Sequence, residues 1–210
     1  MTELLVDAAE DERATLVLAH GAGAPMDTPF MQSVARGLSA RGIRVVRFEF
    51  PYMRKRREQG PPRPPDRMPI LEQAFCDVVS ELAPGLPLFV GGKSMGSRAA
   101  AQVAGRVGAR GVVALGYPFH PPGRPGQTRL SPLQALTVPC LIIQGTRDPF
   151  GKPEEVEGYD LPGQVSLFWA PDGDHSLAPR KASGRTLAQN LDAATEAAAS
   201  FILAQVAALP

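Results

Sequence analysis

The stretch Leu88-Phe-Val-Gly-Gly-Lys-Ser-Met-Gly-Ser-Arg98 decides how the rest of the chain is read. Leu88 to Val90 form an apolar run that reads as the end of a buried strand. Gly91 and Gly92 then predict a sharp turn with Ser94 at its tip. From Met95, through Ala99, Ala100, Ala101 and Val103, the pattern is helical. Gly92, Ser94 and Gly96 together fit G-x-S-x-G. The spacing has a steric cause, because a strained turn between a strand and a helix needs small residues where the two elements approach. Such a turn lifts the serine hydroxyl clear of the sheet. It also aims the Met95 amide, at the helix N-terminus, at any negative charge that develops nearby. Gly92-Lys93-Ser94 also matches the end of a phosphate-binding P-loop, but that motif requires a glycine where Pro87 stands.

Around this stretch the chain alternates. Thr15–Ala19 is an unbroken apolar run, as in a strand buried on both faces, and it ends in the loop His20-Gly-Ala-Gly-Ala-Pro25. Phe30–Arg41 is helical, with Gly42 as its stop. Ile43–Phe50 is the next strand. Pro51–Pro69 carries Arg54-Lys-Arg-Arg57 and then Pro61, Pro62, Pro64, Pro65 and Pro69, and is expected to be a basic, proline-rich loop and not a helix. Ile70–Leu82 is helical again. Gly111–Leu115, Val138–Gln144 and Val165–Trp169 predict three further strands. Thr186–Leu209 predicts a long helix with Leu187, Leu191, Phe201, Ile202 and Val206 near one face. Repeated strand–helix alternation predicts an α/β domain with a mostly parallel sheet and helices on both faces. Right-handed crossovers then collect His20, Ser94, Tyr117, Asp148 and His175 along one sheet edge. One domain spanning 1–210 is expected, with no separate lid.

The composition narrows the classes. A chain of 210 residues suffices for one domain that buries roughly 70% of its unfolded surface. The net charge of +1 gives no argument for nucleic acid or an anionic membrane. Cys76 and Cys140 lack metal-ligand spacing and are read as small buried residues. The N-terminus has no signal-peptide core and no apolar run could span a bilayer, so a soluble, cytoplasmic protein is expected.

A serine at such a turn needs a base, and the base needs an orienting acid. The chain order Ser, acid, His, which α/β-hydrolases share, selects His175 in PDGDHSLAP as base and Asp148 in GTRDPFG as acid. Asp172 and Asp174 are rivals, but lie close to His175 in a tight loop. His120 is expected to line the pocket with Tyr117. His20 is expected to brace its loop. Ala22 is expected to supply the second oxyanion amide beside that of Met95, with Gly23 as the alternate.

The motifs GGKSMGSR, LGYPFHPPG, QGTRDPFG and GDHS carry a resemblance. The chain resembles the α/β-hydrolase superfamily over nearly its whole length. More narrowly, it looks like a dienelactone-hydrolase-related group that includes testis-expressed protein thirty. The resemblance implies Ser94, Asp148 and His175 as a catalytic triad; the expected chemistry needs no metal and no organic cofactor. Dienelactone hydrolases use a cysteine nucleophile, so Ser94 is a departure. The group usually has glycine where Ser97 stands. Lys93 either favours acidic substrates or reaches solvent.

The expected activity is a serine hydrolase that cleaves a small ester or thioester through an acyl-enzyme. The other reading is a binding or scaffold protein on the same fold, as some eukaryotic relatives resemble subunits of chromatin complexes. The partner of the site is expected to be a small molecule. An anionic one would be favoured if Arg54–Arg57 stand at the pocket mouth; otherwise the run is a solvated loop.

Overall fold

The computed structural model describes residues 3–60 and 64–208. Seven strands form one sheet: β1 (Leu4–Asp7), β2 (Ala14–Ala19), β3 (Ile43–Phe48), β4 (Leu88–Lys93), β5 (Val112–Leu115), β6 (Cys140–Gly145) and β7 (Val165–Ala170). Their spatial order is β1-β3-β2-β4-β5-β6-β7. Every neighbouring pair is parallel except β1 with β3.

Strands β2 to β6 are covered on both faces, which explains their continuous apolar runs. Val17, Val46, Val90, Ala114 and Ile142 face one core, against helices α3 (Met68–Ser80) and α4 (Met95–Val103). Leu16, Leu18, Val45, Val113 and Ile143 face the other, against α1 (Pro29–Ser39) and α7 (Leu187–Ala207). On the first face Phe48, Phe50 and Phe75 meet edge to face at 5.0–5.1 Å. Each such buried side chain contributes about 1.5–3 kcal/mol. The register aligns the carboxyl ends: Ala19 opposes Gly92, Lys93 opposes Leu115, and Gly145 opposes Ala170. The loops carrying Ser94, Asp148 and His175 therefore leave one edge.

The structure corrects the sequence reading in several places. Residues Pro51–Gln59 form a helix, α2, where a loop was expected. Proline at the first helical position loses no hydrogen bond and has a suitable φ. The Tyr52 amide, otherwise unpaired in the first turn, donates to Asp66 Oδ2 at 2.9 Å. Arg56 and Arg57 lie in the last turn, where cations complement the helix dipole. The later prolines act only after Gly60, which ends the helix at φ +85°. Pro61, Pro62 and Arg63 lie outside the described residues.

Strand β1 was not anticipated; its four residues pair with the sheet edge, and Asp7 Oδ2 accepts a hydrogen bond from Arg47 at 2.7 Å. Strand β4 runs on through Gly91 and Gly92 to Lys93, so the turn begins later than those glycines suggest. Short helices α5 (Ser131–Gln134) and α6 (Pro153–Val156) punctuate the long loops. Helix α7 buries Ala194, Ala198, Ala199 and Ile202 together with Asn190 and Thr195, and leaves Leu187 exposed. No helix among the described residues is long and apolar enough to cross a membrane.

Candidate active site

Ser94 caps α4 with φ +52° and ψ −113°, a backbone conformation that a non-glycine residue rarely adopts. Its surroundings hold it there. Its amide donates to the Leu115 carbonyl at 2.9 Å, and its carbonyl accepts the Ser97 hydroxyl at 2.6 Å. A Cβ on Gly92 would lie 2.4 Å from the Gly96 carbonyl carbon, and one on Gly96 would lie 2.5 Å from the His20 oxygen. Both glycines are thus demanded by contact. Ser97, at a position where glycine was the expected residue, is fully buried and uses its hydroxyl to hold the turn.

Ser94 Oγ lies 2.9 Å from His175 Nε2, and His175 Nδ1 lies 2.8 Å from Asp148 Oδ2. An ionised carboxylate only accepts, so Nδ1 carries the hydrogen and Nε2 is left to accept from the serine. Asp148 is fully buried, and its other oxygen takes the Phe150 amide at 2.9 Å. The Phe150 ring stacks on the imidazole at 4.3 Å between centroids. Asp172 and Asp174 are occupied elsewhere. Asp172 binds Arg180, whose guanidinium holds that carboxyl below its usual range. Asp174 caps its own loop through the amides of Ser176 and Ala178.

The loop after β2 forms the facing wall. His20 donates from Nδ1 to the Gly21 carbonyl at 2.6 Å and accepts the Phe50 amide at Nε2, 3.1 Å away. Burial pushes its pKa down, which suits a neutral ring used as a brace. Arg47 adds a hydrogen bond to the Met26 carbonyl at 2.9 Å. Among the described residues, neither the Ala22 nor the Met95 amide donates to a protein acceptor. Met95 packs its side chain against the α3–α4 core, leaving that amide at the open end of the helix.

A pocket of about 450 Å³ opens against Ser94 and His175. Its walls include Ala22, Gly23, Pro25, Phe30, Met31 and Phe150, and are mostly apolar. A larger groove of about 600 Å³ lies beside Glu72, Arg106 and Thr137, but it contains none of these groups. Lys93 also borders the pocket. Its ammonium does not reach for solvent: it donates to the His175 carbonyl and sits 5.5 Å from the Phe30 ring centroid. Burial pushes its pKa down to about 8, against the opposing pull of Asp148 and Asp174. Gly116, at φ +63°, makes room for this contact; a Cβ there would lie 2.9 Å from Lys93 Nζ.

Two expected pocket residues stand elsewhere. Tyr117 is fully buried and donates its hydroxyl to the Arg129 carbonyl at 2.8 Å. His120 is buried between the Pro121 carbonyl at 2.9 Å and Glu155 Oε2 at 3.2 Å. The loop folds inward after β5, over α5 and α6, so its aromatic residues serve the core. Two members of the basic run are engaged. Arg57 pairs with Glu49 and Asp27, and Arg56 lies 3.4 Å from the Gly23 carbonyl. Phe30, Tyr52, Gln144 and Phe150 are site neighbours that sequence reasoning missed. Phe150 was marked by its place two residues after Asp148; the others had no local signal. Among the described residues, no group of three or more His, Cys, Asp or Glu side chains could hold a metal ion.

The fold is shared with solved structures. An α/β serine hydrolase without a lid from Xanthomonas campestris superposes with a TM-score of 0.68 at 22% identity, covering 92% of this chain and 86% of that one. A dienelactone hydrolase from Anabaena variabilis gives 0.71 at 19% identity, covering 95% and 90%. The esterase domain of a Rhodothermus marinus protein gives 0.67 at 15% identity, covering 93% and 90%. A family model described as an alpha/beta hydrolase domain matches residues 12–203. The chain belongs to that alpha/beta hydrolase family.

Proposed function

We propose that the protein is a serine hydrolase that cleaves small esters or thioesters through an acyl-enzyme. The observation that carries this reading is the unbroken hydrogen-bonded chain from Ser94 Oγ through His175 to Asp148, set at a strained turn beside an open pocket. Ser94 attacks the acyl carbon while His175 Nε2 takes its proton. Asp148 holds the imidazole and stabilises the imidazolium that forms. The Ala22 and Met95 amides receive the oxyanion, a donor of this kind being worth about 3 kcal/mol in the transition state. His175 then protonates the leaving oxygen or sulfur, and water, activated by the same imidazole, releases the acid. Gly23 and Lys93 border the substrate.

The apolar walls suit a compact acyl group. The motifs shared with the group around testis-expressed protein thirty favour placing the chain there. The test is turnover across a panel of p-nitrophenyl esters and acyl thioesters of increasing length. The reading expects saturable hydrolysis of short members. No turnover of any member, with the protein folded, would count against it.

A further inference from the structure

Gln144 is the penultimate residue of β6, four residues before Asp148, and is fully buried. Its Nε2 faces three acceptors: Asp148 Oδ2 at 2.9 Å, the Tyr117 carbonyl at 3.2 Å and the Gly151 carbonyl at 3.3 Å. Its Oε1 is buried with no hydrogen-bond partner among the described residues. The orientation of the amide follows from these neighbours. Rotating it would set an acceptor oxygen against a carboxylate and two carbonyls, with no donor among them.

An orphaned buried oxygen is a rare cost in a native interior. Methionine or leucine would fill the same volume without it. What the amide gains is its contact with Asp148. The oxygen it meets, Oδ2, is the one that accepts from His175 Nδ1. The carboxylate is therefore fixed by three donors: the Phe150 amide on Oδ1, and Gln144 and His175 on Oδ2. Without Gln144, only the Phe150 amide and the His175 ring it must orient would restrain it against rotation towards other partners. The same amide also ties the loop after β5 to the loop carrying Asp148.

We propose that Gln144 is a positioning residue, holding the Asp148 carboxylate aimed at His175 Nδ1. The proposal rests on the acyl-transfer reading above. Gln144 acts through Asp148 and touches no substrate. Hydrogen bonds to a charged group exceed neutral ones in strength, so its removal is felt at the imidazole.

The test compares Gln144→Met with the wild type. Steady-state kinetics are combined with the far-downfield proton resonance of His175 Nδ1–H, which reports the bond to Asp148. The expected result is a kcat lowered about 10-fold or more, short of the roughly 10⁴-fold loss seen when a triad carboxylate becomes an amide. KM stays within about twofold, and the resonance shifts although the melting temperature is kept. Unchanged kcat and an unchanged resonance would overturn the proposal. If the Met variant does not fold, Gln144→Leu removes the donor with a smaller apolar side chain; wild-type kcat and resonance in that variant would overturn it equally. The resonance separates the two readings. A wild type that hydrolyses nothing refutes the hydrolase, whereas the shift on Gln144 substitution still decides what the amide does to Asp148 and His175.

Discussion

The hydroxyl of Tyr52 donates to the carbonyl of Ala22 at 2.9 Å and also reaches that of Gly21 at 3.2 Å. Burial pushes its pKa up, so it remains a donor at ordinary pH. Helix α2 thereby clamps the loop that carries Ala22, the proposed oxyanion donor. Tyr52→Phe should lower kcat by roughly 10-fold with little change in KM, because orientation at an oxyanion donor acts on the transition state. Steady-state kinetics on a short ester check this. An equal loss in KM alone would mean that the loop only binds substrate.

His120 lies behind the site, against Glu155 and Pro121. His120→Ala should leave the ester preference unchanged and destabilise the fold by about 1–3 kcal/mol, through lost packing and unpaired partners. Denaturant unfolding and the ester panel check both halves. His175→Ala should do the reverse, abolishing turnover while the fold persists.

Lys93 links the site to stability at alkaline pH. Folding lowers its pKa from 10.5 to about 8. Between these values the unfolded chain binds more protons than the folded one, so this residue makes stability rise with pH from about 8 to 10.5. The shift converts to about 3 kcal/mol, at roughly 1.4 kcal/mol per unit. Lys93→Met should lack that rise. Denaturant curves of both proteins at pH 7.5 and 10 measure it, and parallel pH dependence would show that Lys93 is not the group responsible.

Arg56 is the member of the basic run that stands against the pocket wall. Arg57 is neutralised by Glu49 and Asp27, whereas Arg56 stands beside the Gly23 carbonyl at the pocket wall. Arg56→Gln should raise KM for esters bearing a carboxylate by about two- to threefold at low salt and leave neutral esters alone. The effect should fade near physiological ionic strength, where the Debye length is about 8 Å. Equal effects on both substrate types would assign the run a purely structural role.

The legible parts of the chain were those where one local rule dominated. The apolar runs at β2 and β5 announced buried strands, those at β3, β6 and β7 announced strands, and Gly92, Ser94 and Gly96 announced a turn that only small residues allow. Asp148 and His175 were singled out by chain order, each lying in a loop that follows a strand. Features set by distant partners were hidden. Helix α2 has adjacent buried residues, Tyr52 and Met53, and so lacks helical apolar spacing; its first turn is completed by Asp66. Gln144 looked like a strand end, because nothing near it in sequence reveals three converging acceptors. Tyr117 and His120 were placed in the pocket because their loop leaves the right edge, yet that loop turns inward onto the core.

The central claim is that Ser94 becomes acylated, and intact-protein mass spectrometry after brief exposure to a fluorophosphonate or an activated ester tests it most directly. The account predicts one adduct per chain, mapped to the peptide containing Ser94 and absent from a folded Ser94→Ala variant. An adduct on another residue, or a Ser94→Ala variant that is labelled and turns over substrate like the wild type, would contradict it.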